Sequence, residues 1–475
     1  MLKTNPITGL TYFKAILISS FIAMFLSKFD YYILGISLPT ITEHFNVTPN
    51  VISKVVVVYF LILTSTLLIW GKLGDKIGLK KLLLIGLVIF SVAAFFSGLS
   101  DNVNILTILR FFQGIAASIL IVISQAMVSY YAPEKERTKA FSLLTMSIAL
   151  GMTLGTIIGG YISEFLPWNW IFWVNIPICA FVIFILIFFK PEDPLKEIIV
   201  ESKDAKFDFL GAVLIFLCQA LFVFVLYMGH KFDWNYIIIL ALLFAFLFLF
   251  LFIVRENTCS YPLMKLSLFK NIPFLLTLLA GGIAFFLVGG NLFLLPFFLI
   301  VTRSVSPSSA GLVLMTYPFF FLIMTFFINN ILKRFSCWSV SIAGLSLTFI
   351  SLFLFVFLIP QSGVIYVFSY LAVLGIGFGL FFAPNTKSAM DFVSPKNAGL
   401  ASGIFRTFNY LGLVIGVCVF ESIYSYFTCY LDNPSEQMQI SGVQYAYIFG
   451  AFITFLGVLC TIFAKNKDNL FIDNK

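Results

Sequence analysis

Among the ionisable side chains inside long apolar runs of this 475-residue sequence are Lys28, Asp30, Arg110 and Glu421. Arg110 lies about one and a half turns into its run, where an unpaired guanidinium is costly. Within the first 190 residues the carboxylate placed to pair with it is Asp30, itself in the middle of a run. A carboxyl group in that setting can hold and release a proton; the plainer alternative is a purely structural ion pair. Lys28 stands two residues before Asp30, a spacing that turns the two to different sides of a helix. It can snorkel, change its protonation state or line a cavity. Glu421 is either a second proton or cation site or, more simply, a helix-end residue that reaches water. Gln113, Asn291, Asn385 and Asn409 are polar positions in apolar runs that line a cavity or bridge helices by hydrogen bonds. Enzymatic chemistry finds no support. The two histidines, His44 and His230, fall on polar breaks, and none of the seven cysteines has CxxC or metal-ligand spacing. A nucleophile elbow, phosphate loop, HExxH motif and dinucleotide fingerprint are all absent from the sequence. No cofactor and no metal are expected.

The elements that hold these groups are membrane helices. Hydrophobic residues make up 61% of the chain and charged residues 11%, against about 25% charged in a soluble domain. A soluble fold could not cover its surface with so few charges. Apolar runs of about 20 residues, each enough to cross a bilayer, fall at 14–40, 51–70, 82–99, 104–130, 140–163 and 168–189. Two more follow a charged linker, at 208–228 and 234–254. After a polar loop come 272–301, 309–333, 338–359, 364–386, 398–424 and 443–464. The expected class is an all-α polytopic membrane protein of fourteen transmembrane helices, in a six, two, six order. Its expected parts are a six-helix bundle over 1–190, a linker and inserted hairpin over 191–271, and a second six-helix bundle with a short tail over 272–475.

The formal net charge is +8. Loops of one side hold 23 of the 29 Lys and Arg; Lys54, Lys231 and Arg303 lie on the other side, and Lys28, Arg110 and Arg406 within runs. The positive-inside rule makes the rich side cytoplasmic and places both termini there, in the cell (cytoplasmic or inner) membrane. The basic balance is thus an orientation signal, and no nucleic-acid partner is expected. The two groups of six also carry a weak repeat. Leu150-Gly151 with Gly155 in the fifth run matches Leu411-Gly412 with Gly416 in the thirteenth, each pair preceded by a loop proline, Pro133 or Pro395. Parallel six-helix repeats build one large class of secondary transporters, with the substrate site near the midplane between the halves.

Specific motifs sharpen this class. Gly71-Lys72-Leu73-Gly74-Asp75-Lys76-Ile77-Gly78-Leu79-Lys80-Lys81 follows the second run and resembles the GxLaDrxGrkk gate loop of the major facilitator superfamily. A plain positive-inside loop would explain the lysines but not the Gly and Asp spacing. There Gly71 would let a helix end approach a neighbour closely, and Asp75 would face a helix N-terminus or an arginine. Leu106, Arg110, Gln113, Gly114, Ala116 and Ala117 resemble the superfamily's lxxxRxxqGxgaa. Asp30 with Tyr31-Tyr32-Ile33-Leu34-Gly35-Ile36-Ser37-Leu38-Pro39 resembles the DxTIVNVALP signature of its fourteen-helix drug:proton antiporter branch, with Lys28 as a departure. Gly151, Gly155, Gly159 and Gly160 resemble the antiporter motif gxxxGPxxGG, but Thr156 replaces the proline; glycines four apart also suit simple close packing. Trp168-Asn169-Trp170 through Asn175 and Pro177 resembles WRWxFxINxP with Asn169 for Arg, and Ala398 through Gly416 resembles a raGxASGxxxTxRxLGxxxG stretch with Asn409 where Arg is frequent.

The resemblance covers about residues 25 to 420. It implies the major facilitator fold, proton coupling through Asp30 and Arg110, a conformational gate at Gly71, Asp75, Gly78, Lys80 and Lys81, and proton-coupled efflux of small, drug-like molecules by alternating access. The partners it implies are a small-molecule substrate, protons and the lipid bilayer. A source with two membranes would add a periplasmic adaptor, which nothing in this chain shows. The missing proline at Thr156 weakens antiport. Basic Lys28 and Arg110 against a single Asp30 keep a neutral or anionic metabolite, moved by uniport or symport, as the alternative. A non-transporting membrane scaffold of the same fold is a further alternative, against which the intact gate motif argues.

Overall fold

The structure, a computed structural model, describes residues 6–188, 208–229, 235–259, 262–357, 364–393, 398–428 and 435–464. Sixteen α-helices lie among them. They are α1 (Pro6–His44), α2 (Pro49–Ile77), α3 (Leu79–Ser97), α4 (Val103–Tyr131), α5 (Glu134–Phe165), α6 (Trp170–Trp173), α7 (Asn175–Phe188), α8 (Phe209–Met228), α9 (Tyr236–Thr258) and α10 (Ile272–Pro296). The rest are α11 (Pro307–Leu314), α12 (Thr316–Ile331), α13 (Cys337–Val356), α14 (Val364–Asp391), α15 (Ala398–Thr428) and α16 (Glu436–Phe463). Thirteen helical spans are long and apolar enough to cross a membrane, and the helix beginning at Cys337 supplies a shorter apolar one. The protein is a multi-pass membrane protein, and the fourteen runs read from the sequence correspond to these spans.

The helices outrun the apolar segments because nothing in the sequence stops them where hydrophobicity ends. The second run was expected to end at residue 70, with the glycine-and-lysine motif as a loop. Instead α2 continues to Ile77 and the chain turns at Gly78 alone, whose φ of 99° is open to glycine and strained for other residues. Two runs are interrupted. The sixth divides at Val174 into α6 and α7, and the tenth divides at Met315 into α11 and α12. The ninth run ends in a π-helical turn, Phe297–Thr302, directly after Pro296.

Contacts divide the chain into two compact units, Met1–Ala212 with Ser304–Met315, and Val213–Arg303 with Thr316–Lys475. The hairpin α8–α9 groups almost wholly with the second unit, whereas α11 groups with the first. In the first unit α1 packs along α5 and α4, α4 also holds α2 and α3, and α5 receives α11. In the second, α10 packs along α15 and α16, α14 holds α12 and α13, and α13 meets α16.

The same device joins the main helix pair of each unit. A Cβ on Gly151 would meet the Phe25 carbonyl oxygen at 2.5 Å, and one on Gly155 the Phe29 carbonyl oxygen at 2.9 Å. In the second unit a Cβ on Gly412 would strike the Gly282 carbonyl, and one on Gly416 the Phe286 carbonyl. Glycines four apart thus let two backbones touch in both units, and the Leu-Gly repeat of the sequence is a repeat of packing. Gly159 extends the first seam against Ile33, while Gly160 faces α11 at the Pro307 carbonyl, 2.5 Å from where its Cβ would be. Gly71 has no such role: its Cβ would meet Val122 Cγ1 at an ordinary 3.8 Å. The close approach expected there is found instead at Gly74, 2.9 Å from Ile123 Cδ1.

Candidate functional site: buried polar networks in each unit

In the first unit α1, α4 and α7 each bring one polar side chain to a common point. Arg110 Nη1 donates to Asp30 Oδ2 at 2.8 Å and to Gln113 Oε1, one turn along α4, at 2.9 Å. Asn175 Nδ2, at the start of α7, donates to the other oxygen, Asp30 Oδ1, at 3.2 Å. The guanidinium lies over the Tyr59 ring, 4.1 Å from its centroid, so a cation–π contact supplements the pair. Asp30 and Arg110 are each 1% exposed. Arg110 Nε and Gln113 Nε2 are buried without a hydrogen-bond partner. Asn175 Oδ1 is likewise buried without a hydrogen-bond partner, so donors and acceptors are not fully matched in this arrangement.

Asp30 and Arg110 lie together, as the cost of an unpaired guanidinium implied, while Gln113 joins them from the same helix as Arg110 rather than bridging to another. Lys28 is buried on α1, with its ammonium 5.2 Å from the centre of the Tyr31 ring and its Cβ beside Gly151. Asn175 went unselected, although the Ile-Pro motif that contains it gave a signal. It sits where the sixth run breaks.

The second unit holds a neutral counterpart. Asn291 Oδ1 on α10 accepts the hydroxyls of Tyr370 on α14, at 2.9 Å, and of Tyr447 on α16. Phe355 packs against both tyrosine rings, with centroids 4.5 and 4.4 Å away. The bridging role thus applies to Asn291. Asn409 and Asn385 flank Gly281: a Cβ there would meet Asn409 Oδ1 at 2.5 Å and Asn385 Nδ2 at 3.3 Å. Asn385 Nδ2 donates to the Thr277 carbonyl at 3.1 Å, while the Oδ1 atoms of both asparagines are buried without a hydrogen-bond partner. Nearby on α15, Arg406 has a buried Nε without a hydrogen-bond partner. The sequence places Arg406 within its run, and α15, which begins eight residues earlier, holds it. Glu421 is 0% exposed and accepts the Ser425 hydroxyl at 2.8 Å. It is not a helix-end residue reaching water, because α15 continues to Thr428.

At the gate motif, Gly71, Lys76 and Ile77 are helical, Gly78 makes the turn, and Lys80 and Lys81 open α3. The side chains of Lys72 and Asp75 lie outside the described residues.

A helical membrane protein with two units of similar internal packing, each with polar groups buried between helices, has the construction of a secondary transporter. The major facilitator superfamily model matches residues 20–290 and 277–471, and the chain belongs to that family. It is a transporter and not an enzyme. It is 30% identical over 456 residues to the riboflavin transporter RibZ of Clostridioides difficile, covering 95% of this chain and 97% of that one. It is 28% identical over 409 residues to the multidrug resistance protein Stp of Mycobacterium tuberculosis, covering 86% and 75%. The fold matches the crystal structure of the human organic anion transporter MFSD10 with a TM-score of 0.65 at 15% identity, over 96% of this chain and all of that one.

Proposed function

We propose that the protein exports small, drug-like molecules across the cell membrane in exchange for protons, by alternating access, with both termini in the cytoplasm. The observation that carries this reading is the buried Asp30–Arg110 pair at 2.8 Å. A proton arriving at Asp30 cancels its charge and removes most of its attraction for Arg110. The guanidinium then keeps Gln113 Oε1 and the ring of Tyr59 and, released from α1, can turn toward a new acceptor. Each protonation state thus favours its own arrangement of α1 against α4, and a bound proton biases the equilibrium between transport states. Gly71, Asp75, Gly78, Lys80 and Lys81 form the gate that this equilibrium works. The likeness to Stp supports a drug-like substrate.

The test is transport in proteoliposomes under an imposed pH gradient. Wild-type protein moves substrate with the gradient and stops when an uncoupler is added. Asp30→Asn protein loses the dependence on the gradient. Full proton-driven transport by Asp30→Asn would show the assignment to be wrong.

A second reading is carriage of a neutral or anionic metabolite by uniport or symport. Three features favour it: Asp30 is already paired, Lys28 and Arg406 add positive charge within spans, and Thr156 stands where the antiporter motif has proline. The relative named as a riboflavin transporter makes riboflavin the first compound to try. Uptake of labelled riboflavin that persists with an uncoupler selects this reading over proton exchange.

A further inference from the structure

The inserted hairpin is not packed along its length. Near its turn, Leu221, Val225 and Met228 on α8 meet Ile238, Ala241 and Leu242 on α9. Farther from the turn there is a cavity of about 740 Å³, bounded by both arms, the short 3-10 helix Leu266–Lys270 and one face of α15. Its walls are mostly apolar, with Phe222 and Ala245 at the turn end and Gln219 and Thr407 as polar side chains among the apolar ones. Asn257, Ser267 and Lys270 gather at the opposite end. From Ala245 to Asn257 the wall of α9 is about 18 Å long at 1.5 Å per residue, close to the ~15 Å of one leaflet's hydrocarbon.

A space of this size does not stay empty between membrane helices, since its lining would lose contact on one side. Water is a poor occupant of the whole space, because a few polar side chains on a mostly apolar wall cannot satisfy the hydrogen bonds of the water needed to fill it. The occupant has a long apolar part and a polar head at the Lys270 end. The head is anionic by charge complementarity. Lys270 lines the cavity mouth at an exposed position. The neighbouring carboxylate, Glu256, is buried and turned to the backbone, accepting the N–H groups of Leu263 at 3.1 Å and Met264 at 2.9 Å. Those two bonds also fold the loop back, and the 3-10 helix that follows lines the cavity. We propose that this cavity is a site for one anionic phospholipid drawn from the surrounding bilayer, with an acyl chain between α8, α9 and α15 and its phosphate at Lys270.

The experiment uses the purified full-length protein, delipidated in detergent and titrated with phosphatidylglycerol or phosphatidylcholine. Binding is read by thermal unfolding and by the rate at which a maleimide modifies Cys218, a cavity-lining residue followed by peptide mass spectrometry. Phosphatidylglycerol is expected to slow Cys218 modification with a midpoint about fivefold below that of phosphatidylcholine, the preference one Lys supplies near an anionic head. Lys270→Gln, at an exposed position, should bring the two midpoints together. Ala245→Trp should fill the apolar end and abolish protection by either lipid. Equal midpoints in the wild type would overturn the anionic site. Unchanged phosphatidylglycerol protection in Ala245→Trp would place the lipid elsewhere, and displacement of the lipid by a transported compound would make the cavity a substrate site instead. If Ala245→Trp does not fold, the wild-type and Lys270→Gln comparison decides alone.

Discussion

Replacing Asp30 and Arg110 singly and together separates the energy of their pair from the energy of the surrounding fold. Both groups are 1% exposed, so removing one partner leaves the other buried without a counter-charge. That costs about 3–5 kcal/mol. Asp30→Asn belongs at the upper end of this range. It leaves a full positive charge on Arg110, whose Nε already has no hydrogen-bond partner and whose remaining acceptor is the neutral Gln113. Arg110→Gln belongs at the lower end, because Asp30 keeps the Asn175 amide at 3.2 Å and can take up a proton. In the double variant Asp30→Asn, Arg110→Gln, no buried charge is left at this point, and two amides can bond to each other and to Gln113 and Asn175. Its cost is about 1–2 kcal/mol, the scale of one imperfectly satisfied buried group. The double variant should therefore be more stable than either single one. The assay is thermal unfolding of the three variants beside the wild type in one detergent, read as an order of midpoints. A double variant destabilised by the sum of the single effects would refute the argument, since it would show that the two side chains do not act on each other.

The glycine seam gives a contrast within one substitution type. Gly412→Ala forces a methyl group into the Gly282 carbonyl and should cost about 1–3 kcal/mol, whereas Gly71→Ala, with 3.8 Å to its nearest neighbour, should stay within about 0.5 kcal/mol; unfolding midpoints compare them. Asn291→Leu takes away the acceptor shared by the Tyr370 and Tyr447 hydroxyls. It should destabilise the protein by about 1–3 kcal/mol, and Asn291→Leu with Tyr447→Phe should recover part of that loss in the same measurement.

The sequence made the spans legible because a run of 20 apolar residues has few alternatives to a membrane helix. It also made the Asp30–Arg110 pair legible, because a guanidinium inside such a run demands a partner and few carboxylates are available. Where helices end was less legible. Hydrophobicity marks the bilayer and not the hydrogen-bonded ladder, so α2 runs through a lysine-rich motif to Gly78. The divisions at Val174 and Met315 carry no proline or glycine at the break itself. Partners of neutral polar residues were hidden for another reason. Asn175, Asn291 and Asn385 each bond to a residue on a different helix, 145, 79 and 108 positions away, and no local spacing encodes such distances. Of the two readings of Glu421, the helix-end one fails because α15 continues past the end of the apolar run to Thr428.

The glycine seams put the two units in register and expose a difference between them. Gly155 sits on the Phe29 carbonyl and Gly416 on the Phe286 carbonyl, so Asp30 corresponds to Leu287 and Leu34 to Asn291. In the first unit α1, α4 and α7 meet through a carboxylate, a guanidinium and an amide. In the second the helices of equivalent rank, α10, α14 and α16, meet one turn away through an amide and two phenols. Both triads tie three helices together, so tying them needs no charge. The second unit does it with Asn291, Tyr370 and Tyr447, without the desolvation that burying two ions costs. The ion pair of the first unit is therefore more than its packing requires. A group whose charge a proton can cancel is what coupling to a proton gradient requires, and a phenol–amide triad does not supply one near neutral pH. This asymmetry supports the proposal that Asp30 is the proton-responsive group, with Glu421, the buried carboxylate of the second unit, outside the triad there.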